Sequence, residues 1–252
     1  YRPQDDLSLL VTLKANGTIE KTVIGSLAES LTVDRHDAAD WNRLKEIFAS
    51  NTLQMVSFTI TEKGYSITSP DGAFRADVKA DFEAGPENAD SYIGKLAALC
   101  YWRYTQGAAP LALVSMDNCS HNGEKLQASV MTVAKAWLEK GFVGQDFIDY
   151  LSDETKITFP WSMIDKITPR PHKMVEESLE KDGIEGMTPI VTSKNTFIAA
   201  FVNAERPQYL VVEDKFPNGR PALEKAGVYL TDRETVNKTE RMKVTTCLNP
   251  LH

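Results

Sequence analysis

The chain has 252 residues, 42% hydrophobic and 25% charged, with a net charge of −7. That is an ordinary globular composition, which excludes a disordered or fibrous chain, and its acidity argues against nucleic acid as a partner. The three cysteines (Cys100, Cys119, Cys247) form no CxxC pair, the four histidines show no HExxH spacing, and no run of about 18 apolar residues occurs. A disulfide scaffold, a metal site and a membrane span are therefore not expected. No signal peptide is recognisable, and reduced thiols in a cytoplasmic protein are the expectation.

In chain order, Leu7 to Lys14 reads as a strand, Asn16-Gly17 as a turn, and Thr18 to Gly25 as the partner strand. Asp37 to Ala49 has helical spacing, with Trp41, Leu44 and Phe48 near one face. Leu53 to Thr61 reads as a strand. Pro86 to Tyr104 reads as a long helix capped by Asn88 or Asp90. Pro110 to Ser115 is a short buried strand, followed by an amphipathic helix from Asn122 to about Lys140 and another from Val143 to Leu151. Ile157 to Met163 is strand-like, although Pro160 argues against a regular central strand. Ile190 to Val202 and Tyr209 to Val212 read as β, with a turn at Pro217-Asn218-Gly219. A helix starts near Arg233, capped by Asp232 or Thr231. Alternating strands and helices predict an α/β fold with a mostly parallel sheet, whose ligands sit beyond the C-terminal ends of the strands.

Four segments draw attention. The first is Met116-Asp117-Asn118-Cys119-Ser120-His121-Asn122-Gly123, after a hydrophobic strand; a strand-to-helix loop explains it locally, and Asn118 at a cleft is the functional reading. The second is Ser162-Met163-Ile164-Asp165-Lys166-Ile167-Thr168-Pro169, where a surface pairing of Asp165 with Lys166 or Arg170 is the local reading. The third is Glu213-Asp214-Lys215-Phe216-Pro217-Asn218-Gly219-Arg220-Pro221, a charged strand end with a turn. The fourth runs from Glu240 to His252 and contains Lys243, Asn249 and His252.

Together, in this order, the four resemble the mannitol dehydrogenase family, and Thr61-Glu62-Lys63-Gly64-Tyr65 is similar to the family's as well. The resemblance covers nearly the whole chain. It implies a Rossmann-like domain over 1–232, lacking the first Gly-rich βα unit since no GxGxxG occurs, and the first helix of an α-helical substrate domain over 233–252. On that expectation the chain is an internal portion, cut at both ends.

The resemblance also implies the chemistry. A nicotinamide-linked oxidoreductase interconverts a secondary alcohol and a ketone, with NAD as cofactor, NADP as the alternative, and no metal. D-Mannonate/D-fructuronate is the first reading of the substrate. Mannitol 2-dehydrogenase and tagaturonate reductase are the alternatives within the family, and a non-catalytic ligand-binding module is the alternative outside it. By resemblance, Lys243 is the general base, Asn118 and Asn249 donate to the developing oxyanion, and His252 bonds the substrate oxygen or a neighbouring hydroxyl. Asp165 accepts from sugar hydroxyls, and Glu240 is a second-tier residue in proton exchange. Thr61, Glu62 and Asp117 are candidates at the cofactor.

An ordinary lysine keeps its proton to about pH 10.4, so a lysine base requires burial or a neighbouring cation. One departure matters: Asn249 lies six residues after Lys243, where the family has five. On an ideal helix, at about 100° per residue, Lys243 and His252 then face roughly opposite ways. A π-bulge or break between Val244 and Asn249 is therefore expected. Lys166 replaces the signature's arginine and loses its bidentate geometry.

Overall fold

The computed structural model describes residues 2–14, 16–166, 168–192, 195, 197–205 and 209–247. In chain order these form β1 (Ser8–Leu13), β2 (Ile19–Ile24), α1 (Ala38–Ala49), β3 (Met55–Phe58), α2 (Thr61–Tyr65), α3 (Ala76–Ala84), α4 (Tyr92–Thr105), β4 (Leu111–Ser115), α5 (Asn122–Glu139), α6 (Gln145–Ser152), β5 (Ile157–Thr158), β6 (Ser162–Asp165), α7 (Lys173–Lys181), β7 (Ile190–Val191), β8 (Phe197–Ile198), β9 (Phe201–Glu205), β10 (Tyr209–Glu213), β11 (Tyr229–Thr231) and α8 (Arg233–Met242). They group into two units: Tyr1–Ser30 with Asp165–Tyr209, and Leu31–Ile164 with Leu210–His252.

The second unit carries the predicted parallel sheet. β3, β4 and β5 lie side by side and parallel, with Met55 opposite Ala112 and Leu111 opposite Ile157. β4 is buried along its whole length, as the central strand of such a sheet must be. Its side chains alternate between two cores. Leu111 and Leu113 join the large cluster built by α1, α4, α5 and α6, whereas Ala112 and Val114 pack with Val212 of β10. α5 faces the large cluster with Leu126, Val130, Val133, Ala134 and Trp137, the i, i+4, i+7, i+8 spacing of one helical face. Each buried leucine or valine of that face contributes roughly 1.5–3 kcal/mol. A second group of strands runs in the order β11-β10-β6, with β10 and β11 parallel.

The expectation of a long helix from Pro86 is corrected. The segment opens with a turn, following a separate α3 that ends at Ala84, and only then enters α4, whose cap is Ser91 rather than Asn88 or Asp90. The Asp81 carboxylate holds that turn by accepting from the N–H groups of Asp90 (2.7 Å) and Ser91 (3.0 Å). The strand expected over Leu53 to Thr61 stops at Phe58, and Thr61 opens α2 with a left-handed φ of 62°. Pro160 divides the segment 157–163. β5 ends before it in one sheet and β6 begins after it in another.

In the first unit β1 is central, antiparallel to β2 and parallel to β9, with Leu9 opposite both Val23 and Phe201. The hairpin turns at Asn16-Gly17, where Gly17 has φ 80° and the Asn16 side chain accepts from the Thr18 N–H. Val175 and Leu179 of α7 pack onto Leu9, Val11, Met187 and Phe201. The β run expected over 190–202 is broken into an antiparallel β7–β8 pair and the start of β9.

Candidate active site

The loop after β4 is held by a buried amide. Asn122, 1% exposed, donates from Nδ2 to the carbonyls of Asp117 and Ser162 and to Ser162 Oγ, each at 3.0 Å. Its Oδ1 accepts from the N–H groups of Gly123 (2.8 Å) and Ser162 (3.0 Å). Asn122 thus ties the end of β4 to the start of β6. Gly123 permits the approach: a Cβ there would stand 2.4 Å from the Phe159 carbonyl oxygen. His121, at a left-handed φ of 53°, stacks on Trp161 with ring centroids 4.3 Å apart.

Asp117 faces the end of β3. Its carboxylate accepts from the N–H groups of Ile60 (2.8 Å) and Thr61 (3.0 Å) and from the Tyr65 hydroxyl. Burial, then the hydrogen bond to Asp117, push the Tyr65 hydroxyl far above its ordinary pKa, so it is a fixed donor. The C-terminal ends of β3 and β4 are locked together, and the exposed Thr61, Glu62 and Asn118 stand on that rim. Glu62 is paired with Lys125 at 2.8 Å, which holds its carboxyl below the usual range.

The opposing element is α8. Asp232 caps it by accepting from the Thr235 N–H at 2.8 Å, and Val236 packs with Met163, Val211 and Trp161. At Lys243 the helix widens into a π turn, Lys243–Cys247, which overlaps the span from Val244 to Asn249 where an irregularity was expected. Lys243 is 4% exposed. Its Nζ donates to Asn118 Oδ1 at 2.8 Å and to the Ile164 carbonyl at 2.6 Å. One turn earlier, Glu240 accepts from the Ser120 hydroxyl. The arrangement offers a buried amine against a carboxamide at the C-terminal end of a central strand. With its oxygen given to Lys243, Asn118 has its Nδ2 hydrogens to present to a substrate oxygen.

The structure therefore brings together Lys243 and Asn118, two of the four catalytic candidates. Asn249 and His252 lie outside the described residues. Asp165 is the half-buried last residue of β6. The segment from Glu213 to Pro221 is used structurally. Glu213 accepts from the Trp161 N–H and from Arg233 Nε, both at 3.1 Å, and Asn218 Nδ2 donates to the Asn51 and Leu53 carbonyls. Sequence reasoning missed Ser120 as the partner of Glu240 and Tyr65 as the partner of Asp117. No local spacing signals either pairing. A cavity of about 1030 Å³ in the first unit, lined by Thr168, Arg170 and Phe197 among others, includes none of the candidate residues. Among the described residues no group of three or more His, Cys, Asp or Glu side chains could hold a metal ion, and no helix is long and apolar enough to cross a membrane.

A family profile described as the mannitol dehydrogenase Rossmann domain matches residues 4–225. The chain belongs to the mannitol dehydrogenase family. D-Mannonate oxidoreductase of Thermotoga maritima is 55% identical over 254 residues, covering 100% of this chain and 47% of that protein. Polyol:NADP oxidoreductase of Gluconobacter oxydans is 30% identical over 93% of this chain and 44% of its own length. Among solved structures, D-sorbitol dehydrogenase in substrate-free form superposes with a TM-score of 0.77 at 28% identity, covering 96% of this chain and 46% of that one. Pseudomonas fluorescens mannitol 2-dehydrogenase, in a ternary complex with NAD and D-mannitol, gives 0.75 at 30% identity over 96% and 45%. This member of the mannitol dehydrogenase family spans about half the length of the curated relatives it matches. Its Rossmann-like, mostly parallel architecture agrees with the sequence expectation.

Proposed function

We propose that the protein is a nicotinamide-dependent oxidoreductase of a sugar acid, interconverting D-fructuronate and D-mannonate, with NAD as cofactor. The observation that carries the reading is the buried Lys243 amine on Asn118, an association of residues far apart in the chain. The substrate assignment leans on the 55% identity to a D-mannonate oxidoreductase.

The rim fits the reactive end of a nicotinamide cofactor. Thr61, Glu62 and Asn118 are polar, exposed and placed at the C-terminal ends of parallel strands, where such sheets bind ligands. A GxGxxG cradle for the pyrophosphate does not occur in the sequence. When bound, the nicotinamide supplies or accepts the hydride. In the alcohol-oxidising direction the neutral Lys243 amine takes the hydroxyl proton, and in the reducing direction its ammonium returns it. Asn118, joined in this reading by Asn249, donates amide hydrogens to the oxygen as negative charge develops there. His252 bonds the same oxygen or a neighbouring hydroxyl, Asp165 accepts from sugar hydroxyls, and Glu240 serves proton exchange. Asp117 acts at the cofactor rim through the corner it builds with Ile60 and Thr61. α8 is the opening of the helical substrate domain in this reading.

The test is NADH oxidation by the full-length protein with fructuronate, tagaturonate and fructose, repeated with NADPH. Fructuronate with NADH is expected to be fastest. Lys243→Ala is expected to lower kcat by about 10²–10⁴-fold while NADH binding, followed by fluorescence, is retained. Equal rates in that variant would remove Lys243 as the base.

A further inference from the structure

The loop after β4 touches the helix that carries Lys243 at two places. Asn118 accepts from Lys243, and two residues on, Ser120 donates to Glu240, one helical turn before the lysine. The two contacts are rungs between one loop and one helix. The loop end of the ladder is rigid, because Asp117 is held at the end of β3 and Asn122 at the start of β6. The helix end is where regular α geometry stops. The π turn begins at Lys243 itself, so the backbone after Met242 departs from the α-helical ladder. The Ser120–Glu240 bond therefore anchors the last α-helical turn before the amine.

Neither Asp232 nor Val236 supplies that anchor. They fix the start and middle of α8, two and one turns further from the lysine than Glu240. Val244 and Thr245, beyond the lysine, are exposed. A hydroxyl donating to an ionised carboxylate is a charge-assisted bond, stronger and more directional than a neutral one. Nothing in the loop sequence requires a serine for the turn: the left-handed residue is His121, and the local backbone bond is Cys119 N–H to the Asp117 carbonyl.

We propose that Ser120 is a positioning residue for the reaction: by donating its hydroxyl to Glu240 it fixes the register of the π turn and holds the Lys243 amine against Asn118 and the Ile164 carbonyl. This rests on the dehydrogenase reading above. Ser120 touches neither Lys243 nor the reacting atoms in this arrangement, and it acts through Glu240.

The experiment is a double-mutant cycle in the full-length protein, with steady-state kinetics in NADH and fructuronate. Ser120→Ala is expected to lower kcat about tenfold, the scale of one charge-assisted hydrogen bond, with KM for NADH unchanged. Ser120→Thr, which keeps the hydroxyl, is expected to restore most of the rate. In a Glu240→Ala background the serine substitution is expected to have no further effect, because its acceptor is gone. Circular dichroism and Tm of Ser120→Ala close to those of the unaltered protein would exclude a folding defect as the cause. An active protein whose Ser120→Ala variant matches it, or in which the two substitutions act additively, overturns the role of Ser120 alone. A protein inactive on every sugar acid and polyol offered overturns the dehydrogenase reading and this inference with it.

Discussion

At the scale of single residues, the site depends on one amide more than on any charge. Asn122 is fully enclosed and uses both ends of its carboxamide, donating to β4 and β6 and accepting from Gly123 and Ser162. Removing it leaves several buried backbone groups without partners. Asn122→Ala is expected to cost about 2–3 kcal/mol in urea denaturation. Asn122→Asp has the same shape but turns a carboxylate oxygen toward the carbonyls of Asp117 and Ser162, and is expected to be worse than alanine. A milder effect for aspartate would mean that the amide orientation is reversed. The proposed catalytic residues Asn118 and Lys243 could be singled out in the sequence, since each sits in a motif with fixed neighbours, and the structure places them in contact. Ser120 lies in the same motif as Asn118 and Tyr65 in the Thr61–Tyr65 motif, but their work depends on partners far along the chain, and no local pattern records such a pairing. Arg103 is the extreme case. It is 1% exposed and donates to the carbonyls of Phe48, Ser50, Leu53, Ala109 and Pro110, yet in the sequence it is one charge on a helix.

At the scale of elements, α8 decides whether the amine reaches its partners. Its buried contact is slight, with Val236 its one buried residue, so the N-cap carries unusual weight. The Thr235 backbone N–H, then the Thr235 hydroxyl, hold the Asp232 carboxyl below the usual carboxylate range. A lowered carboxyl contributes stability that is present above its unfolded value of about 3.9 and is lost as pH falls through the lower folded value. Asp232→Ala is therefore expected to lower both Tm and kcat at pH 7, with the Tm difference shrinking below about pH 4. A constant difference across that range, followed by scanning calorimetry, would remove the cap from the account. Elements with dense periodicity, α1, β4 and α5, were readable for the same reason that they are stable: each buries a continuous face. α7 was not readable, because Val175 and Leu179 are its only buried residues among charged neighbours. The late start of α4 was hidden too, because the turn before it is held by the Asp81 carboxylate of the preceding helix.

At the scale of the whole molecule, the larger unit keeps several ionisable groups neutral by enclosing them. Burial pushes the Cys100 thiol up to about 12, and it pushes the Tyr65 and Tyr150 hydroxyls well above their ordinary range. Folded values above the unfolded ones give stability that is complete below about pH 8.5 for cysteine and 10 for tyrosine, and that is lost as pH rises toward the folded values. Urea unfolding is therefore expected to show a steep loss of stability between about pH 9 and 11. A Tyr65→Phe, Tyr150→Phe variant is expected to be less stable at neutral pH but to fall less steeply over the same interval. Parallel curves for the two proteins would contradict the assignment.

The parallel pairing of β1 with β9 has a consequence for how the polypeptide matures. β1 emerges from the ribosome near residue 8 and its parallel neighbour near residue 201, so synthesis of nearly everything between them separates the two. At about 5–20 residues per second that interval lasts roughly ten seconds or more. During it the β1–β2 hairpin can close alone, but one edge of β1 stays open, with Leu9 and Val11 lacking the cover that Phe201, Val175 and Leu179 later provide. The intervening helices and strands of the other unit have most of their own contacts available in that time. β1 is thus completed long after it is made, and the nascent chain carries an unpaired strand edge while residues 14–200 are synthesised.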